Sequence, residues 1–338
     1  MAGRVPAMTD AADRPFAPVP PDPNPRHPEE TMTTALFVSQ ILNGLQLGVI
    51  LFLVAAGLTL VFGVMDFINL AHGVQYMLGA FLVAASVKAT GSFAAGLALG
   101  LLGALALGFV LEILVFRHLT RRDHLEQVLG TFGVILIVTE LVRMVFGDAP
   151  IAFPTPVALS GSITLFPGLN YPVWRLVILG VGVGVAVLLW YLVNRTRIGM
   201  LVRAGSTHPR TVSALGVNID RLFLIVFAFG AMLAGLAGAM AGPLVSVEPT
   251  MGDKILIIAF VVIVIGGIGS IKGAFVAALL VGLVDTLGRS IAPDLLKLLI
   301  GKSAAATAGP ALSSMLVYLL MALVLSLRPN GLYGGRSA

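Results

Sequence analysis

Cysteine is absent from the 338-residue chain, and charged residues make up only 11% of it. The lack of cysteine excludes disulfide bonds, thiol catalysis and cysteine-ligated metals. Ordinary soluble domains carry about 25% charged residues. Here 58% of the residues are hydrophobic and the mean hydropathy is +1.01. This composition excludes an ordinary soluble domain.

Nucleotide-binding and nucleic-acid-binding patterns are also lacking. Gly301, Lys302 and Ser303 resemble the end of a phosphate loop, but that loop needs a glycine five residues before Gly301, where this chain has Leu296. The net charge of +5 sits in the polar segments between apolar runs, without a basic face interleaved with aromatic residues. Any ATP that drives this protein must therefore be hydrolysed by another subunit.

Apolar runs near the 20 residues that cross a bilayer recur from residue 42 to residue 327. They predict an all-α, polytopic transmembrane helix bundle of eight to nine spans. The run 255–287 is too long for one straight crossing and predicts two short spans or a broken helix. We expect residues 1–33 to be a disordered tail without the order of a cleavable signal. Residues 34–332 form the membrane domain, within which 288–310 is weakly structured, and 333–338 form a C-terminal tail.

Arginine placement predicts the orientation of the spans. Segment 117–124 has three arginines and segment 194–221 has five, whereas loop 147–172 has neither lysine nor arginine. Because basic loops stay in the cytoplasm, both arginine segments are predicted to be cytoplasmic and loop 147–172 external. With nine spans, the N-terminus is outside and the C-terminus inside.

The polar segment 194–221 also predicts a local structure. Pro209 suits the first position of a helix and Gly216 the position just past its end. They predict a short helix, 209–215, with Val212 and Leu215 on one face. Such a surface helix can enter a groove on a soluble domain. The alternative is that the arginines only orient the chain.

Asn69, His72 and Gly73 form a polar motif at the start of the second apolar run. Polar side chains within a span usually face a cavity or a partner. They either hydrogen-bond across helices and hold the bundle together or line a substrate path, and pH sensing by His72 is a third alternative. No second histidine or cysteine lies at ligand spacing, so no metal site is predicted.

A glycine segment, 266–273, interrupts the long run described above. Unwound backbone within a membrane is tolerated where it lines a cavity, which makes Gly266, Gly267 and Gly269 candidates for the path. The alternative is close helix packing through Gly269 and Gly273. Glu140 and Arg143 lie three residues apart and predict a structural ion pair.

Several of these motifs resemble those of the branched-chain amino acid (LivH-type) ABC permeases. The matching segments are Arg195–Gly199, Arg203-Ala204, Ala214–Asn218, Asp220-Arg221, Phe67–Gly73, Val264–Ser270 and Arg328–Leu332. They occur in the family's order and cover about residues 42–332. One departure is Thr207-His208, where many members carry an acidic or amide residue and then an aspartate. An acidic contact to the ATPase is therefore not carried over.

The resemblance implies a type II ABC importer-like permease of the inner membrane, without cofactor, metal or catalytic residue. It implies a second homologous permease subunit, two cytoplasmic ATPases and a periplasmic substrate-binding protein as partners. The expected ATPase-coupling residues are Arg195, Arg197, Gly199, Arg203, Ala204, Pro209, Val212, Leu215 and Gly216. The expected path residues are Asn69, His72, Gly73, Gly266, Gly267 and Gly269. Alternatives are a urea or short-amide permease of the same family and a self-contained secondary transporter driven by an ion gradient.

Overall fold

The described residues fold into a helical bundle with a small β-hairpin. The computed structural model describes residues 34–120, 122–207 and 209–334, so the predicted tail 1–33 and residues 335–338 lie outside the described residues. The helices are α1 Thr34–Met65, α2 His72–Thr90, α3 Phe93–Leu111, α4 Arg117–Leu119, α5 His124–Phe146, α6 Val173–Arg195, α7 Arg197–Thr207, α8 Pro209–Ala214, α9 Ile219–Ala241, α10 Met251–Gly266, α11 Ile271–Ile300 and α12 Lys302–Leu327. The strands are β1 Ser162–Phe166 and β2 Leu169–Pro172, paired antiparallel.

Among the described residues, six helices are long and apolar enough to cross a membrane. They are Thr34–Met65, Phe93–Leu119, His124–Phe146, Val173–Arg195, Ile219–Ala241 and the Ile271–Leu298 part of α11. The apolar part of α12, Ala311–Leu327, is shorter. The polytopic helical architecture is thus confirmed, while the exact count of eight to nine spans is not.

Helix α1 is the centre of the bundle. Every residue from Gly48 to Val61 is buried, and this stretch is apolar on all sides apart from Thr59. A helix that is hydrophobic all round is stable when protein surrounds it. Helices α6, α9, α10 and α11 pack directly against α1, and Phe52 meets Phe275 of α11 edge-on with ring centroids 5.0 Å apart.

The two ends of the bundle differ in chemistry. We call the end that carries segments 117–124 and 194–221 the arginine end, because Glu112, just before the first segment, lies within electrostatic reach of Asp220 in the second. The other end, the hairpin end, carries β1 and β2. There the Tyr171 hydroxyl donates to Asn43 of α1 at 3.2 Å, so α1 runs from the hairpin end to the arginine end.

Helices α2 and α10 start inside the bundle rather than at either end. The His72 ring nitrogen Nε2 lies 3.0 Å from the carbonyl oxygen of Val54, which is halfway along α1 between Asn43 and Met65. The first turn of α10 meets α2 at this depth, since a Cβ built on Gly73 would lie 2.2 Å from the Gly252 carbonyl oxygen. Each connection that precedes these helices therefore enters the bundle and turns there.

The helices α1–α2–α3 form one unit and α9–α10–α11 a second, and the two units pack in a similar way but run in opposite directions. In the first, α3 packs on α9 where Gly108 meets Ala228 and Ala231; in the second, α11 packs on α1 where Gly282 meets Gly44 and Gly48. The units α1–α2–α3 and α9–α10–α11 cross where Gly57 meets Gly230. Small residues at these crossings allow close backbone approach.

The run 255–287 is broken as predicted, with α10 ending at Gly266 and α11 beginning at Ile271. Ser270 caps α11 by accepting a hydrogen bond from the Gly273 amide at 3.1 Å. The expectation that 288–310 is weakly structured is wrong. Helix α11 continues through Pro293 to Ile300, and α12 begins at Lys302, so only Gly301 separates them.

Candidate functional site

Helix α7 folds back against the end of α6. The Thr196 hydroxyl donates to the Leu192 carbonyl at 2.5 Å and accepts from the Gly199 amide at 3.1 Å, which turns the chain between the two helices. Gly199 lies so close to α6 that an added Cβ would sit 2.2 Å from the Leu192 carbonyl oxygen. Arg203 donates to the Val193 carbonyl. The first half of segment 194–221 is therefore anchored to the bundle.

The short helix expected in this segment is confirmed as α8, Pro209–Ala214. Gly216 follows it with a φ of +88°, a conformation that favours glycine just past a helix end. The expected shared apolar face is wrong, because Val212 is 7% exposed and Leu215 is 79% exposed. Of these two residues, Val212 packs inward and Leu215 presents its side chain to the surroundings. His208, part of the family departure, lies outside the described residues.

Three arginines of this segment, Arg197, Arg203 and Arg221, are exposed and form no salt bridge within the described part of the chain. The fourth, Arg195, is also exposed and lies over the Trp190 ring, 6.0 Å from its centroid. The Arg210 side chain is outside the described set. Exposed guanidinium groups without a salt bridge can pair with carboxylates or phosphates of another molecule.

The motif Asn69, His72 and Gly73 lies at the mid-depth junction of α2 and α10. Asn69 and His72 are both 0% exposed. The His72 ring bonds the Val54 carbonyl of α1, while neither polar atom of the Asn69 amide has a hydrogen-bond partner among the described residues. Gly73 touches the backbone of Gly252. The junction is thus closed and packed, and a substrate could reach these side chains only if the helices separate.

The glycine segment lies elsewhere, at the arginine end. Gly267 and Gly269 have φ values of +95° and +80° in the turn between α10 and α11. The C-terminal segment crosses this turn, with the Leu332 amide 2.8 Å from the Ile265 carbonyl and the Tyr333 amide 3.0 Å from the Gly266 carbonyl. The structure therefore separates the two groups of predicted path residues, which lie at opposite ends of α10.

A cleft of about 660 Å³ opens between α6 and α11. Its lining includes Arg203 of α7, Asn194 at the end of α6, and Gly269 and Lys272 beside the glycine turn. The arginine segment and the glycine turn, far apart in sequence, thus share one cleft. Helix α7 and the turn that joins α10 to α11 therefore both face this cleft.

Two buried polar residues at the arginine end were not singled out from the sequence. Glu112 is 2% exposed in a π-helical turn, Glu112–Phe116, and pairs with Arg117 at 3.5 Å. Gln127 of α5 accepts a hydrogen bond from the Ile68 amide at 3.3 Å, which ties α5 to the connection before α2. An acid inside the apolar run 93–116 was a visible signal for Glu112. Nothing in the sequence points to the Gln127 contact.

The start of α10 carries an ion pair that the sequence also did not reveal. Lys254 Nζ lies 2.5 Å from a Glu248 carboxylate oxygen, and this hydrogen bond lowers the pKa of Glu248. Asp253 is exposed beside them. The ion pair that was predicted, Glu140 with Arg143, is present at 2.7 Å. Within the described ranges, no three histidine, aspartate or glutamate side chains lie close enough together to hold a metal ion.

Comparison with known proteins finds transport permeases that are similar over most of this chain. The high-affinity branched-chain amino acid transport system permease protein LivH of Escherichia coli (strain K12) is 29% identical over 271 residues, which cover 74% of this chain and 85% of LivH. The corresponding protein BraD of Pseudomonas aeruginosa is 27% identical over 312 residues, 88% of this chain and 96% of BraD. The ribose import permease protein RbsC of Escherichia coli is 27% identical over 269 residues, 73% and 77% of the two chains. No solved structure matches closely enough to count as a relative.

The family described as "branched-chain amino acid transport system / permease component" matches residues 40–325, which is nearly all of the described bundle. This range includes both the arginine segment and the junction of α2 with α10. The chain is a multi-pass membrane protein that belongs to this family of branched-chain amino acid transport permeases.

Proposed function

We propose that this protein is the transmembrane permease subunit of an ABC importer that moves branched-chain amino acids across the inner membrane. The observation that carries the proposal is the similarity to LivH and BraD, two permeases named for this transport, which extends over 74% and 88% of the chain. The arginine end of the bundle is then cytoplasmic, as the positive-inside rule requires.

Segment 194–221 is the site where the ATPase docks. Its coupling residues fall on the end of α6, on α7 and α8 and on the turn after α8, and they are Arg195, Arg197, Gly199, Arg203, Ala204, Pro209, Val212, Leu215 and Gly216. Support comes from the exposed Leu215 just past a short surface helix and from the exposed arginines, because both would fit a groove on a soluble domain. Because α7 is anchored to α6, a force that the ATPase applies to this surface would be transmitted to the bundle.

The partners are a second homologous permease subunit, two cytoplasmic ATPases and a periplasmic substrate-binding protein. The exposed apolar side chains of α5, such as Phe132 and Ile137, would contact lipid or the second subunit. In the transport cycle the bundle alternates between outward-open and inward-open states. Asn69, His72 and Gly73 then form part of the gate at mid-depth, and Gly266, Gly267 and Gly269 lie at the cytoplasmic end of the path.

One observation favours a second cargo: RbsC, a ribose import permease, is 27% identical over most of this chain. A sugar permease is therefore the competing function. A secondary transporter needs a carboxylate free to bind its coupling ion. Glu140 and Asp285, the acids considered for that role, are paired with Arg143 and Arg289 at 2.7 and 2.9 Å. Nothing in the structure favours urea or short amides.

The test is uptake in cells that lack the gene and in cells in which it is restored. We expect radiolabelled leucine uptake to fall to background on deletion and to return on restoration. Excess valine or isoleucine should compete, whereas ribose and urea should not. Unchanged leucine uptake together with lost ribose uptake would instead identify a sugar permease.

A further inference from the structure

A charged, exposed face marks the start of α10. Lys254 has 70% of its side chain exposed and Glu248 31%, and Asp253 and Thr250 are exposed beside them. The face thus combines one cation with two acids. The next exposed side chain along the helix, Ile257, is apolar and 54% exposed, so the charges are confined to the first turn of α10 and the connection before it.

These charges lie at membrane depth. Lys254 is two residues from Gly252, which touches Gly73, and the neighbouring His72 bonds Val54 halfway along α1. Ionised side chains at such depth are costly against hydrocarbon and usually face a cavity filled with water or another polar surface. The opening of this face is towards the hairpin end, because the connection before α10 pairs with loop 147–172 through Val247 and Ile151 at 2.9 Å.

We propose that Glu248, Asp253 and Lys254 line the water-filled substrate path, and that the Glu248–Lys254 pair receives a zwitterionic amino acid. The Lys254 ammonium would bind the α-carboxylate of the substrate, and Glu248 with Asp253 would bind its α-ammonium group. An ion pair that is exposed to water can exchange partners with such a ligand at little cost. This inference rests on the proposed amino acid transport and names the residues that meet the cargo.

Because the natural chain has no cysteine, single cysteines can be introduced without removing others. We compare Asp253→Cys with Ile137→Cys, which is 64% exposed near the middle of α5. The assembled transporter in oriented vesicles is treated from the outside with a membrane-impermeant, anionic thiosulfonate reagent. We expect the thiol at position 253 to be modified and the thiol at position 137 to be protected by lipid. If the Asp253→Cys variant does not assemble, Thr250→Cys is labelled in its place.

Substrate protection tests the zwitterion assignment. Leucine supplied with its binding protein should slow modification at position 253 at least several-fold. Lys254→Gln should abolish this protection, whereas Lys88→Gln, which removes an exposed lysine at the end of α2, should leave it intact. Equal reactivity at positions 253 and 137 overturns the path assignment. A reactive thiol whose modification rate leucine does not change overturns the assignment of the amino acid site.

Leucine uptake measured on the same vesicles separates this inference from the proposed function. Normal leucine uptake with an unreactive position 253 contradicts only the inference. Absent leucine uptake in the wild-type assembly contradicts the proposed function, whatever the reactivity of the introduced thiol.

Discussion

Gly73 and Gly252 bring two helix starts into contact in the middle of the bundle. A Cβ built on Gly73 would lie 2.2 Å from one backbone oxygen and 2.9 Å from the Leu256 Cβ. Neither neighbour is the flexible end of a long side chain, so the backbone itself would have to move. Residues of this kind hold the connection before α2 and the connection before α10 at the same depth.

Gly73→Ala is therefore expected to destabilise the protein. Overpacking a close contact typically costs about 1–3 kcal/mol, which should lower the midpoint of thermal unfolding of the purified protein in detergent. Gly180→Ala on α6 is the matched control, because nothing lies within 4 Å of the added methyl group there. It should leave the midpoint unchanged or slightly raised. Equal midpoints for the two variants would contradict the close packing at the junction.

At the scale of single residues, the sequence predicted which positions are unusual but not what they contact. Asn69 and His72 stand out as polar residues at the start of an apolar run. The partner of His72, the Val54 carbonyl, lies on another helix and is one of many equivalent carbonyl groups. Such contacts depend on how helices cross, which local patterning does not encode.

Among the elements, α8 was predictable because its signals are local. Pro209 and Gly216 bracket the helix at positions where backbone geometry alone favours them. The exposed face was not predictable, since burial of Val212 depends on the neighbouring helices. Leu215, just past the end of α8, therefore presents an exposed apolar side chain, whereas Val212 does not.

Leu215→Glu should weaken docking of the ATPase without unfolding the permease. The side chain is 79% exposed, so the bundle loses little when it becomes charged, but a hydrophobic groove on a partner would have to bury the new carboxylate. We expect the amount of ATPase that co-purifies with the tagged permease to fall by an order of magnitude or more.

The matched control for this variant is Leu298→Glu. Leu298 is 84% exposed towards the far end of α11, where the chain approaches the hairpin end. The amount of ATPase that co-purifies with the Leu298→Glu variant should be unchanged. Undiminished ATPase association of Leu215→Glu, or an equal loss in both variants, would remove the support for docking at α8.

For the whole molecule, apolar runs predicted a polytopic helical bundle and arginine placement predicted that two segments share one end. Neither signal distinguishes a full crossing from a helix that starts at mid-depth, because α2 and α10 are about as apolar as the helices around them. The β-hairpin was not predicted either. Helices α11 and α12 cover residues 288–310, which were expected to be weakly structured, with only Gly301 between them. The opposite directions of the units α1–α2–α3 and α9–α10–α11 depend on how the helices pack, which the sequence patterns do not show.

As the permease subunit of an ABC importer, this bundle is expected to move branched-chain amino acids only when a separate ATPase drives it. The most direct test is leucine uptake into proteoliposomes that contain the permease with its partner permease, ATPases and binding protein. We predict uptake that requires ATP inside the vesicles, stops when the ATPase is inactivated and is unchanged when ion gradients are collapsed. Uptake that continues without ATP and disappears with the ion gradient would contradict the account.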